Sequence, residues 1–176
     1  INTKILVSLC VLCALCGQLA AQDWKTVKDG IEYAAVSRDI AGLKVNINLL
    51  RLDLTKVRLD VVHAMDAAIG TEKTSSIATR HGAFAAINGG FFRLDDSIWA
   101  GDSEGILKID GEELSEPLSK RVALFIDNRV NQTFVVMEHL DARSWIEVKG
   151  RELTIDGTNR ERKENEIVEY TRIFNP

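Results

Sequence analysis

Short runs in which apolar and polar residues alternate recur along most of this chain, and a period of two confines such runs to paired strands. Residues 31–36 and 43–49 alternate as half-buried strands do, and 51–54 and 57–61 continue the pattern after a break at Thr55-Lys56. Farther on, residues 106–109, 122–126, 133–137, 144–148, 152–155 and 167–174 read as further strands. Asp110-Gly111, Asp127-Asn128, Gly150 and Asp156-Gly157 punctuate them as turns. Residues 74–81 predict the best short helix, with Ser75 or Ser76 as its cap, Ile77 and Ala78 facing inward and Gly82 ending it. The uncharged, small-residue run 83–87 predicts a central strand covered on both faces. The expected class is therefore α+β, mostly antiparallel strands with few short helices. No repeat, linker or low-complexity tract interrupts it.

The first residues follow a different rule. Lys4 gives a short basic start, residues 5–15 form an apolar run, and the stretch ending at Ala20-Ala21 turns small and polar. That is the pattern of a secretory signal cleaved near Ala20 to Gln22, and its apolar run is shorter than the roughly 20 residues a membrane span needs. Cys10, Cys13 and Cys16 all lie inside it. Leu12 and Leu15 precede Cys13 and Cys16, where lipidation asks for a small residue. The expectation is cleavage without an anchor, then a cysteine-free domain over residues 22–176 in a secreted or periplasmic location. With 22 basic against 26 acidic residues and a net charge of −4, the surface argues against general binding to nucleic acid or anionic membranes.

The sharpest local feature is Asn88-Gly89-Gly90-Phe91-Phe92. An amide followed by two glycines opens backbone N–H groups without side-chain obstruction, and Asn88 both donates and accepts. The pair Phe91 and Phe92 offers one ring to a sugar face and one to the core. A plain glycine turn before two core aromatics is the competing reading. Asp95, Asp96, Asp102 and Glu104 crowd one loop and have the oxygen chemistry of a hard cation such as Ca²⁺, without EF-hand spacing; a solvated acidic loop is the simpler account. His63, His81 and His139 stand too far apart for paired-ligand spacing and read as structural. Trp145 reads as a strand core residue, and Asn131-Gln132-Thr133 fits an N-glycosylation acceptor in a eukaryotic host.

Taken in order, four motifs resemble the phosphodiester glycosidase family, whose animal member removes N-acetylglucosamine from a sugar phosphodiester. They are Asn88-Gly89-Gly90-Phe91-Phe92, the glycine-bounded hairpin Gly105 to Gly111, Arg121 leading a strand, and Asp156-Gly157-Thr158-Asn159-Arg160 followed by Tyr170-Thr171. The similarity runs from about Leu43 to Phe174. The resemblance implies hydrolysis of a glycosidic bond to a phosphate diester or a related glycan. Asn88, Glu104, Arg121 and Arg160 are then the catalytic candidates, with Gly89, Gly90, Phe91 and Asn159 binding substrate. In that reading Arg121 and Arg160 fork onto phosphate oxygens, Asn88 and Asn159 hold sugar hydroxyls, and Glu104 activates water. No cofactor is implied, a divalent cation such as calcium being the one group the acidic loop would take. Partners are a carbohydrate or sugar phosphate, with no nucleic acid and no membrane anchor after cleavage. The family's Arg-Thr-Ala-x-Gly and Asn-Leu-Asp-Gly-Gly-Gly-Ser segments are not found, so the expectation is the N-terminal part of a longer, active protein, itself inactive. The rival reading is a non-catalytic envelope domain that binds a glycan along the same glycines.

Overall fold

The computed structural model describes residues 23–118 and 120–174, so the expected export signal lies outside the described residues. These residues form mostly antiparallel strands with one α-helix and one short 3₁₀ turn, Ala64–Asp66. They divide into two units: residues 23–58 with 130–132, and residues 59–129 with 133–174.

The first unit is a three-stranded antiparallel sheet of β1 (Lys25–Lys28), β2 (Ile31–Ile40) and β3 (Leu43–Leu52), in that order. Ala34 pairs with Leu49 and Val36 with Ile47, so the apolar residues of the alternation meet on one face, with Ala34 buried. Ala41 and Gly42 both take positive φ, which a two-residue hairpin loop of this twist requires. Asp110-Gly111 and Lys149-Gly150 repeat the device in the second unit. Asp53 Oδ1 accepts from the Thr55 amide at 3.0 Å and hydroxyl at 2.7 Å, a local turn that stops the sheet there. The expected strand at 57–61 does not form. Its alternation is intact, but among the described residues no neighbouring strand pairs with it.

In the second unit, helix α1 (Thr74–Arg80) starts after Lys73, and neither Ser75 nor Ser76 caps it. Gly82 closes it as expected: its φ is +61°, its N–H reaches the Thr79 carbonyl at 3.2 Å, and Ala83 N–H reaches Ala78 at 2.8 Å. The chain then departs from expectation. Residues 83–87 form no strand and are exposed, Ile87 by 82%. A small-residue strand has little side-chain packing of its own and is held by ladders on both edges, and among the described residues none lies beside it.

Four hairpin or bridge pairs follow. They are β4 (Leu107–Ile109) with β5 (Glu112–Ser115), β6 (Arg121–Asn128) with β7 (Thr133–Leu140), β8 (Ser144–Val148) with β9 (Arg151–Ile155), and the short parallel pair β10 (Gly157–Thr158) with β11 (Val168–Glu169). The last expected strand thus shrinks to two residues, because the chain beyond it is captured by side chains described below. Trp145 is half exposed and not a core residue: β8 and β9 pair only with each other, and Arg143 lies 5.5 Å from its ring. Among the described residues, no helix is long and apolar enough to cross a membrane.

Candidate functional site

Phe91 to Arg93 folds back against Gly101 to Glu104 as a short antiparallel ribbon. Phe92 bridges Ser103, Glu104 N–H donates to the Phe91 carbonyl at 2.9 Å, and Arg93 N–H donates to Asp102 at 2.8 Å. Gly101 is the extra residue of a bulge: its N–H also reaches the Arg93 carbonyl, at 2.8 Å, with φ +95°. A side chain there would adopt a backbone L-residues rarely take and would run into the Gly70 carbonyl. The ribbon's alternation sets Phe91, Arg93, Asp102 and Glu104 on one face, with Phe92 and Ser103 on the other. Ser115 Oγ donates to the Ser103 carbonyl at 2.7 Å, tying the ribbon to β5.

This ribbon brings Glu104 beside the glycine segment, thirteen residues earlier in the chain at Phe91. Asn88, Gly89, Gly90 and Phe91 are all exposed, and among the described residues the Gly89 and Gly90 amides make no hydrogen bond. Asn88 is oriented: Thr74 Oγ1 donates to its Oδ1 at 2.5 Å. That leaves its two N–H donors facing outward without a partner among the described residues. Phe91 and Phe92 point to opposite sides of the ribbon, and both are exposed, so neither reaches a core.

The Asp156-Gly157-Thr158-Asn159-Arg160 motif does something else. Asn159 is completely buried at a left-handed φ of +57°. Its Nδ2 donates to the Leu114 carbonyl at 3.1 Å and its Oδ1 accepts the Thr171 amide at 2.8 Å, so no atom is left for a sugar hydroxyl. Arg160 has all five donors engaged. Nε donates to Glu116 at 2.6 Å, Nη1 to the Glu161 carbonyl at 2.9 Å and to Glu166 at 2.7 Å, and Nη2 to the Asp156 carbonyl at 2.6 Å and to Glu166 at 3.1 Å. Glu166, and after it Glu116, raise the guanidinium's pKa against the cost of its burial, and Arg160 in turn holds Glu166 down to about 2. The geometry therefore gives Asn159 and Arg160 a structural job. They clasp residues 156–171 onto β5, and the expected sugar and phosphate contacts have no free atoms to make them. Sequence cannot show whether a guanidinium's donors are taken internally.

Arg121 opens β6, is exposed, and among the described residues has no ion-pair partner; no contact brings it to the Asn88 segment. The acidic loop holds no metal arrangement: among the described residues, no group of three or more His, Cys, Asp or Glu is placed to bind an ion. Asp95 is instead held to about 2 by the Ser97 hydroxyl, the Arg93 guanidinium and the Ser97 amide. His63 Nε2 lies 3.1 Å from the Gly101 carbonyl, and His81 Nε2 lies 2.9 Å from Asp66.

Of the four acids in the loop, Asp102 is the one whose environment sequence reasoning did not single out. Burial first, and the charge of Glu116 second, push its carboxyl up to about 6, against the opposing pull of Arg160 and Arg93. Among the described residues its side chain makes no hydrogen bond. The available signal was its place behind Gly101 and two residues before Glu104, which matters only once Arg93 is known to pair with it. Comparison with protein-family models, with curated proteins and with solved structures finds no match to this chain.

Proposed function

We propose that the chain belongs to an exported glycosidase that hydrolyses a sugar-1-phosphodiester or a related glycan linkage. The observation that carries this reading is the ribbon whose Glu104 N–H to Phe91 carbonyl hydrogen bond brings the Glu104 backbone to the end of the open Asn88-Gly89-Gly90 segment. Two unpaired backbone N–H groups and the Asn88 amide supply donors for hydroxyl or phosphoryl oxygens, and Phe91 supplies an apolar face for a sugar ring. A phosphorylated aglycone is a good leaving group, so the demand falls on stabilising the sugar as the bond breaks and on activating water. In this reading Glu104 activates the water. The finer reading of the fold as α+β rests on the one short helix, α1, that accompanies the antiparallel strands. Transport by the amino-terminal signal places the reaction outside the cytoplasm.

A non-catalytic glycan-binding domain is the second reading. The engagement of Arg160 favours it, since that residue is not available to a phosphate. Product analysis with the full-length protein on a sugar-1-phosphodiester separates the two. The hydrolase reading expects free sugar plus a phosphomonoester. Binding without turnover points to the second reading, and sugar phosphate plus free alcohol would mean P–O cleavage and would overturn both.

A further inference from the structure

We propose that β6 is the edge along which two copies of this chain pair, antiparallel about a two-fold axis at Leu124, into a closed dimer. The inference goes beyond the reading above and does not depend on it. β6 and β7 form a two-stranded sheet, and among the described residues no strand and no backbone hydrogen bond reaches the outer edge of residues 122–127. Both faces of the hairpin are apolar. Leu124 lies opposite Met137 on one and Phe125 opposite Val136 on the other, and all four are exposed. A lone two-stranded hairpin is marginal in water, and an apolar edge without charges in its middle is a template for another strand. A second β6 turns two strands into four.

The order of charges selects a second copy as the occupant. Along an antiparallel strand, residues whose N–H and C=O face a given neighbour alternate with residues that face away, and like meets like across the ladder. The β6–β7 register runs unbroken from Arg121 to Asn128, so an odd-numbered residue of β6 can meet only an odd-numbered residue of its copy. Arg121 and Asp127 are the charged residues of this strand. One register alone sets them opposite each other: the one centred on Leu124, with Val122 against Ile126 and small Ala123 against Phe125. The two-fold axis makes that ion pair twice. Among the described residues Arg121 has no ion-pair partner. Asp127 takes Arg129 Nε on Oδ2 at 2.8 Å, both side chains being exposed, and its Oδ1 accepts nothing among the described residues. A register centred one residue on, at Phe125, leaves Arg121 beyond the paired strand and sets Asp127 opposite Ala123.

The other edge of the hairpin does not pair with itself in this way. Glu138 sits within β7, and the same alternation lets it meet only Phe134, Val136, Leu140 or its own copy, none of them basic. A charge set opposite apolar residues or a like charge penalises that edge. β6 therefore meets β6 in an isologous contact that closes, and β7 is left at the rim of a four-stranded sheet.

The test weighs the full-length protein by sedimentation over a concentration series, alone and as Arg121→Asp, Asp127→Arg and Glu138→Lys. The expected result is a dimer that Glu138→Lys leaves intact. Each of the other two changes weakens it by about 10-fold or more, because each turns two attractive pairs into two repulsive ones. An equal mixture of Arg121→Asp and Asp127→Arg restores the dimer, since each chain then meets the opposite charge at both positions. The replaced side chains are exposed, so the variants should fold. Rising salt should also loosen the parent dimer, with no substitution needed. A monomer would overturn the proposal, and slow hydrogen exchange at its β6 amides would place another segment of the chain on this edge. An assembly larger than two, a dimer that Glu138→Lys dissolves, or one indifferent to both charge reversals and to salt would overturn it as well.

Discussion

Arg160→Ala is expected to cost about 3–5 kcal/mol of stability, because it leaves the Glu116 and Glu166 carboxylates without their cation in a mostly buried site. The Arg160 side chain is only 16% exposed and its two partners 19% and 21%, so water screens the lost interactions poorly. A loss of that size is a large part of the about 5–15 kcal/mol that holds an ordinary domain together. Arg160→Lys should recover only part of it, since an ammonium has three donors and no fork to span Glu116 and Glu166 at once. Urea unfolding and hydrogen exchange at the Asn159 and Thr171 amides measure the effect. Both amides are held by the clasp, Asn159 by the Glu169 carbonyl at 2.8 Å and Thr171 by Asn159 itself, so both should exchange faster in the variant. An unchanged unfolding midpoint with reduced turnover would instead return Arg160 to the substrate.

Asn88 makes the opposite case, a residue whose removal should spare the fold and damage the chemistry. Its outward N–H donors hold nothing among the described residues, and its one contact is to the Thr74 hydroxyl. Asn88→Asp keeps the shape, replaces donors by acceptors and sets a negative charge in the open glycine segment. Turnover should fall by about 10²–10³, or about 2.7–4 kcal/mol, the size seen when one donor to a developing charge is lost. The loss should appear in kcat more than in KM if the donors meet charge that grows as the bond breaks. Steady-state rates of the full-length protein on the phosphodiester, beside an unfolding curve that should match the parent's, check both halves. Equal loss in KM alone would make Asn88 a ground-state binding group.

How much of this was legible beforehand follows from which forces act locally. β2, β3, β6, β8 and β9 could be read from alternation, and their turns from glycines that tolerate positive φ, because both signals live within a few residues. Residues 57–61 and 83–87 carry equally good local signals and form no strand, since a strand exists only with a neighbour, and pairing is not written in the segment itself. The glycine segment and Glu104 were legible as chemistry, but their meeting through the Phe91–Glu104 hydrogen bond was not. Asn159 and Arg160 have the side chains of a ligand site and are used as a clasp. That difference lies in Leu114, Glu116 and Thr171, far from them in sequence. Asp102 was legible only as one acid among four, because its raised pKa comes from burial and from Glu116.

The central claim, that ligand meets the ribbon and the glycine segment and not the clasp, is tested most directly by mapping amide shifts in nitrogen-15 NMR spectra as a sugar-1-phosphodiester is added. The account predicts shifts concentrated at Asn88, Gly89, Gly90, Phe91, Asp102 and Glu104, with Asp156 to Arg160 unmoved. Shifts centred on Asn159 and Arg160, or none at the glycine segment, would contradict it.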